Sequence, residues 1–356
     1  MKPPLRQLVV RPDGMLSVDP LLDAAWGDLL GRAPSATIFH HPGWLRLIRD
    51  QYGLSISAWC LTGLDGRLVA GIPVALLRSR LTGVRLIALP FSDSCPVLLD
   101  PAAGVEISGV ARGVDDACEQ LGLPLELREA LPGSPGAIVV ERYVQHQLAL
   151  QPDVDRVIAS FAKTSTLRGT AKARREGVTI DRRTDRAGLE RFYRLHTVNR
   201  RRQGVPTQPK RFILGFGDLF DAGLGFVTLA RYRERDIAAA VFLTAGQTMT
   251  YKFGASDRRF LSVRPNNLLF VEAIRWGCEH GLRVLDFGRT DHDNQGLRAF
   301  KSSWGATESP LAFTYFGGYN ATLGAIPGRN ALSTVIRHAP PSFGRLLGTA
   351  LYRHFG

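Results

Sequence analysis

Hydrophobic and polar positions along this chain repeat with two periods, 3.6 and 2, and the switches between them mark out its elements. Helical spacing runs from Leu21 to Leu30, from Pro42 to about Tyr52 and from Gly104 to Gly122. Between these, Ser55–Cys60, Arg67–Leu77 and Val84–Leu89 read as strands of a meander joined by Thr62-Gly63, Asp65-Gly66 and Thr82-Gly83. Leu125–Ala130 and Tyr143–Leu150 add two strands, and from Asp153 the pattern starts again. It predicts helices over Asp153–Lys163 and Thr166–Glu176, a strand over Val178–Arg183, a long helix over Arg186–Gln203 stopped by Gly204, and a helical segment over Lys210–Phe220. Gly225–Tyr232, Ile237–Thr244 and Thr248–Gly254 then form an antiparallel meander, and Pro265 opens a helix that ends at Gly281. A short strand at 284–287, a helix after Asn294 and a strand over Pro310–Phe316 complete the pattern before a proline-cut tail.

The fold class is α/β with mixed sheets, and 356 residues suit two domains, 1–150 and 151–318, followed by a basic amphipathic tail, 319–356. Hydrophobic residues at 45% against 22% charged ones exclude general disorder. Cys60, Cys95, Cys118 and Cys278 lie far apart without metal-ligand spacing, so they read as reduced thiols and no metal is expected. The N-terminal MKPPLRQLVVRPDG has no long apolar region and nowhere do 18 apolar residues run together, which points to the cytoplasm.

Charge is concentrated rather than spread. Of a net +13, the segment 161–211 holds fifteen Lys and Arg against four Asp and Glu, leaving +11. Within it Arg168, Lys172 and Arg175 fall on one helical face. Such a stripe attracts phosphate, whether of a nucleotide, of RNA or of a membrane surface; equally it is a solvated helix face.

Candidate chemistry gathers in Leu282–Ala306. Asp286 interrupts an apolar strand, Gly288 lets the backbone leave it, and Arg289, Asp291 and His292 precede a helix capped by Asn294 that carries Lys301. Side chains of two elements therefore converge at one strand end. Tyr251 and Lys252 on the third meander strand line the same cleft, although Tyr251 reads equally as a core ring. In the first half, Pro90–Cys95 is a small polar loop holding Ser92 and Asp93, and His40 and His41 beside Pro42 read as turn and cap residues.

The order of elements after 151 is that of an N-acyltransferase. Pro265-Asn266-Asn267-Leu268-Leu269, Leu285-Asp286-Phe287-Gly288 and Phe300-Lys301-Ser302-Ser303-Trp304-Gly305, with FHHPGW and PFSDSC in the first half, resemble the Gcn5-related acetyltransferase superfamily. Within it they resemble the branch of the FemAB-type peptidoglycan bridge-forming transferases and their acetyltransferase-like relatives. The resemblance covers about 1–318 and implies two tandem acyltransferase-like domains. It further implies transfer of an acyl group, from acyl-CoA or aminoacyl-tRNA, to an amine of a lipid-linked or other cell-envelope precursor or surface glycan. By it, Lys301 matches the lysine of the family's FK motif. Lys301, Asp286 and Asp291 become the expected catalytic residues, with Arg289, Lys252, Tyr251, Ser92 and Asp93 on the substrate. Arg264, Asn266 and Asn267 open the helix where the superfamily seats a pyrophosphate, but here the loop 258–267 contains no glycine and Pro265 removes one donor. The competing class is a non-catalytic binder of nucleic acid or anionic membrane through 161–211, with tRNA as one partner.

In the tail, Phe343, Leu346, Leu347, Ala350 and Leu351 recur at helical spacing, with Arg345 opposite and Arg353 at the flank. A helix of this kind docks on its own protein, mediates a dimer or lies on a membrane; the envelope substrate implied by the resemblance favours peripheral membrane association through 342–355, at the inner face of the cytoplasmic membrane.

Overall fold

A computed structural model describes residues 15–80, 82–318 and 329–355. They form two compact units, one of 15–143, 310–318 and 352–355, the other of 144–309 and 329–351.

In the first unit β1 (Leu16–Val18), β2 (Ser55–Thr62), β3 (Leu68–Ser79) and β4 (Gly83–Ala88) are consecutive antiparallel neighbours, and β5 (Leu98–Leu99) pairs with β3. Strand β6 (Leu125–Leu127) joins β4 in parallel. Alternation along β2 gives the sheet two apolar faces. Ala58 and Cys60 pack with Trp26 and Leu29 of α1 (Ala24–Arg32), whereas Trp59 packs with Val110 and Val114 of α3 (Ile107–Leu121). Between these helices, α2 (Pro42–Tyr52) begins at a proline and is capped by His41, whose ring accepts from Gly43 N, while buried His40 contacts the Pro96 carbonyl at 2.8 Å. Both histidines are thus turn and cap residues.

The second unit follows the meander read from the sequence. Strand β7 spans Ile138–Ala149; then come α4 (Val154–Ala159), a single wide turn at 163–167, α5 (Arg168–Arg175), β8 (Thr179–Arg183) and α6 (Arg186–Gln203). The helical segment expected at 210–220 is two short helices, α7 (Lys210–Leu214) and α8 (Phe216–Asp221), broken at Gly215. Strands β9 (Gly225–Tyr232), β10 (Arg235–Ala245) and β11 (Thr248–Ser256) pair antiparallel, and after α9 (Pro265–Glu279) β12 (Val284–Asp291) returns parallel to β11. Phe226 and Phe242 face Phe270 and Trp276 of α9, while Phe253 faces Phe212, Phe216 and His196 on the opposite side. Burial of large aromatic rings on both faces fixes the register, since a slip of one residue would exchange the faces.

Two departures from the sequence reading have physical causes. Strand β12 does not end at Gly288: that residue adopts φ 69° inside the strand, and the chain continues extended to Asp291 before α10 (Gln295–Ser302). Strand β13 (Thr307–Phe316), expected in the second domain, pairs through Thr314–Phe316 with β6, so 310–316 group with the first unit, and the division falls at 143 rather than 150. In the tail, the helical piece expected over 342–355 is α12 (Pro341–Phe355), preceded by α11 (Arg329–His338); 319–328, with Pro327, lie outside the described residues.

Helix α12 meets the second unit along its glycines. Gly344 and Gly348 are buried, Thr207 N donates to the Gly344 carbonyl at 3.1 Å, and a Cβ at 348 would overlap the Thr207 backbone. Phe343 and Leu346, two of the apolar residues at helical spacing, are 38% and 72% exposed. Small residues let backbones approach closely, and that contact turns the larger side chains outward. No helix among the described residues is long and apolar enough to cross a membrane.

Candidate functional site

The site of the second unit begins as a failure of two strands to stay paired. β11 and β12 share a parallel ladder only over Thr248–Thr250 and Val284–Asp286. Beyond it both remain extended, but no ladder joins 251–256 to 287–291. At the fork β11 carries a bulge: Phe242 lies opposite Tyr251 and Val241 opposite Phe253, so Lys252 is the extra residue. A bulge bends its strand and re-aims the side chain at that point. Lys252 Nζ lies 5.5 Å from the centre of the Phe253 ring.

Tyr251 belongs to the core side of this strand. Its ring packs 4.8 Å from Phe270 and 5.7 Å from Phe242, its hydroxyl lies against Gly254 where a Cβ would collide, and burial pushes its pKa up to about 12. The core reading of Tyr251 therefore describes its surroundings.

On the other arm Asp286 is 3% exposed. Its Oδ1 accepts from Gly288 N at 2.7 Å and its Oδ2 from Gln145 Nε2 at 2.8 Å. Lys301, 2% exposed on α10, donates from Nζ to the carbonyls of Gly288 at 2.7 Å and Arg289 at 3.2 Å. The kink at Gly288 is thus held from both sides, by a carboxylate on its N–H and an ammonium on its C=O. Arg289 is half-buried, Thr290 is buried, and Asp291 is exposed at the strand end, where its carbonyl accepts from Asn294 N at 3.0 Å. Asn294 caps α10 through Leu297 N, as its sequence position predicts.

The strand expected over Tyr143–Leu150 is present as β7, but the sequence reading placed no site residue on it. Its Gln145 holds Asp286, and its fully buried His146 places Nε2 3.2 Å from Ser302 Oγ and 3.1 Å from Glu308 Oε2. Burial, then the charge of Lys301, lowers the His146 pKa, so the ring is neutral near pH 7. His146, at an inward position of the strand expected over Tyr143–Leu150, was the available signal; that β7 lies beside β12 is a non-local pairing that no local pattern carries.

The residues expected at the start of α9 have mixed roles. Arg264 is exposed and takes φ 57°, an uncommon conformation outside glycine that turns the chain into the helix. Asn266 accepts from Ser256 Oγ at 2.9 Å, and Asn267 donates to the carbonyls of Ser165 at 3.0 Å and Thr166 at 3.4 Å. Both side chains fasten the turn to its neighbours. Ser92 and Asp93 lie in the other unit; Ser92 is 1% exposed, its hydroxyl donates to the Leu89 carbonyl at 2.7 Å, and it shapes its own turn.

Residues 160–302 match the acetyltransferase (GNAT) domain family. Over 75 residues, 19% of the chain, the sequence is 35% identical to the Lipid II:glycine glycyltransferases of Staphylococcus epidermidis and Staphylococcus aureus, and the match spans 18% of the length of those relatives. Among solved structures, FemX superposes with a TM-score of 0.64 at 16% identity, covering 81% of this chain and 94% of that one. L-PGS from Bacillus licheniformis gives 0.57 at 13% identity, covering 90% and 99%. A tandem GNAT protein from the clavulanic acid biosynthesis pathway gives 0.51 at 14% identity, covering 86% and 99%. At such identities these are likenesses of fold. Residues 160–302, which match the GNAT domain, thus carry the forked strands and the capped α10 of the site, and the mixed α/β fold of the chain is like that of FemX and of the tandem GNAT protein.

Proposed function

We propose that the protein is an acyltransferase that moves an acyl or aminoacyl group from an activated donor onto an amine of a cell-envelope precursor. The observation that carries this reading is the fork between β11 and β12, in a domain that matches the acetyltransferase family. Parted parallel strands leave main-chain N–H and C=O groups facing one another across a gap. A donor with amide or ester groups can bond to such an edge as an added strand, which holds its carbonyl for in-line attack. The acceptor amine attacks as the free base: the C–N bond forms, the C–S or C–O bond to the donor breaks, and the leaving group takes up the proton lost by the amine. Lys252 at the bulge is the candidate to face the developing oxyanion, and Arg289 to hold a carboxylate or phosphate of the acceptor. Asp286 and Lys301 keep the 286–289 backbone in register, while Asp291 at the open end is the candidate to receive the amine.

The donor is acyl-CoA or aminoacyl-tRNA, with Arg264 and the first turn of α9 as the phosphate end of the site. The glycyltransferase relatives motivate a lipid-linked acceptor. Association with the inner face of the membrane is part of the same reading, motivated by exposed Phe343 and Leu346 beside Arg345 and Arg353. A second reading, a non-catalytic binder of nucleic acid, is motivated by α5: Arg168 and Arg175 are exposed and Lys172 half-buried, with no carboxylate within 4 Å among the described residues. Supplying labelled acetyl-CoA or glycyl-tRNA separately with a lipid-linked muropeptide, and following amide formation by mass spectrometry, decides between them. Amide product with either donor supports the transferase; tight tRNA binding with no product from either donor sinks it.

A further inference from the structure

The first unit has a cavity that the acyl-transfer reading does not use. It encloses about 580 Å³ where the end of α2, the start of β2, the end of β3 and the last turn of α12 meet, and its lining includes Tyr52, Leu76, Arg78, Arg80, Arg353 and His354. Three arginines from two segments remote in sequence converge on it, and no carboxylate lines it among the described residues. Like charges gathered in a concave site raise a positive potential that favours an anion. His354 registers that field: burial, then the charges of Arg353 and Arg80, lower its pKa.

The wall is built rather than incidental. Arg353 Nε donates to His354 Nε2 at 3.1 Å, which leaves the ring proton on Nδ1, 3.1 Å from Ser79 Oγ. Thr82 Oγ1 donates to the His354 carbonyl at 3.1 Å and accepts from Arg85 Nη1 at 2.5 Å. These bonds fasten the end of α12 to the turn after β3. Tyr52 stacks on Phe91 at 4.2 Å, and Phe91, held at φ 62°, lies 6.3 Å from Tyr352, so an aromatic cluster backs the cavity.

We propose that this cavity binds a phosphate-bearing ligand, with the phosphate among Arg78, Arg80 and Arg353 and its organic part against Tyr52 and Leu76. Guanidinium groups pair with phosphate oxygens bidentately, and three of them suit a diphosphate better than a single phosphate. The volume is in the range of small-molecule sites and well above what a bare phosphate fills. The group belongs either to a soluble molecule or to a lipid headgroup. The inference stands apart from acyl transfer, because it needs no residue of the fork.

The test uses the full chain. Calorimetric titration with inorganic pyrophosphate and with a nucleoside diphosphate, and flotation with phosphatidylglycerol vesicles, report the soluble and the lipid source separately. At least one probe should bind, more weakly as salt rises. Arg80→Gln and Arg353→Gln should each lower that affinity tenfold or more without moving the unfolding temperature, whereas Arg186→Gln on α6, whose partner is Glu190, should leave it unchanged. Tighter binding of the nucleoside diphosphate assigns a soluble ligand, and binding to vesicles alone assigns a headgroup. Absence of binding by all three probes, or binding that Arg186→Gln weakens as much as Arg80→Gln does, overturns the proposal.

Discussion

Lys301 illustrates what burial does to a residue matched by motif. Its ammonium sits on two carbonyls behind β12, so its first role is to hold the Gly288 kink from which Arg289 and Asp291 project. Lys301→Ala removes charge-assisted bonds, each worth about 1.5–3 kcal/mol, and most of a buried stem at about 0.8 kcal/mol per methylene. We expect a loss of about 3–5 kcal/mol by denaturant unfolding. Lys301→Met keeps the stem volume, and should recover part of that stability while transfer stays at least about a hundredfold down. A Met variant with wild-type turnover would reduce the lysine to packing.

Two other residues, buried His196 and half-buried Glu129, set opposite pH dependences. His196, stacked on Phe192 and bonded to Gln208 Oε1 at 2.7 Å, has its pKa lowered to about 3 by burial and by Arg200. Between pH 3 and the unfolded value of 6.5 the unfolded chain binds the extra proton, so stability is full above 6.5 and falls as pH drops through that window. Burial raises Glu129 to about 7, so between the ordinary carboxylate range and pH 7 the folded state keeps a proton that the unfolded state has lost, and stability falls as pH rises. Glu129→Gln should therefore stabilise the protein by about 2 kcal/mol at pH 8 and little at pH 4.5. Thermal unfolding at the two pH values checks this; an equal effect at both would remove the linkage.

At the scale of elements, α12 is the informative one. Sequence periodicity gathers its large apolar residues without saying what they meet, and contact with the second unit is made at Gly344 and Gly348, because the Thr207 backbone comes too close for any side chain at 348. Gly348→Val should lower the unfolding midpoint of the second unit, corresponding to about 1–3 kcal/mol of overpacking. Phe343→Ser with Leu346→Ser should leave stability within about 0.5 kcal/mol, since both side chains are exposed, yet reduce flotation with anionic vesicles. Unchanged flotation would remove this helix from any membrane role.

At the scale of the whole molecule, the basic segment 161–211 is not one surface. Arg183 pairs with Asp185, Arg186 with Glu190, and Arg191 with both Asp181 and Asp236, whereas the α5 stripe meets no such partners among the described residues. If aminoacyl-tRNA is the donor, its affinity should fall steeply with salt, and neutralising Arg168, Lys172 and Arg175 together should lower the slope of log K against log salt by about 2–3. Neutralising Arg183 or Arg186 should change the slope little. Filter binding at 50–200 mM salt separates these outcomes, and an unaltered slope in the α5 variant places the contact elsewhere.

The sequence by itself determined most of the helices, the three-strand meander, the Asn294 cap and the gathering of Asp286, Arg289 and Lys301 in one segment. Periodicity, caps and turn residues act over a few positions, and those features are local. The fork, the seat of Gln145 beside Asp286, the return of β13 to β6 and the glycine contact of α12 were decided by tertiary structure alone. Each joins residues far apart in the chain, and their cause is which backbone comes to lie beside which, a matter of packing that a window of sequence does not contain.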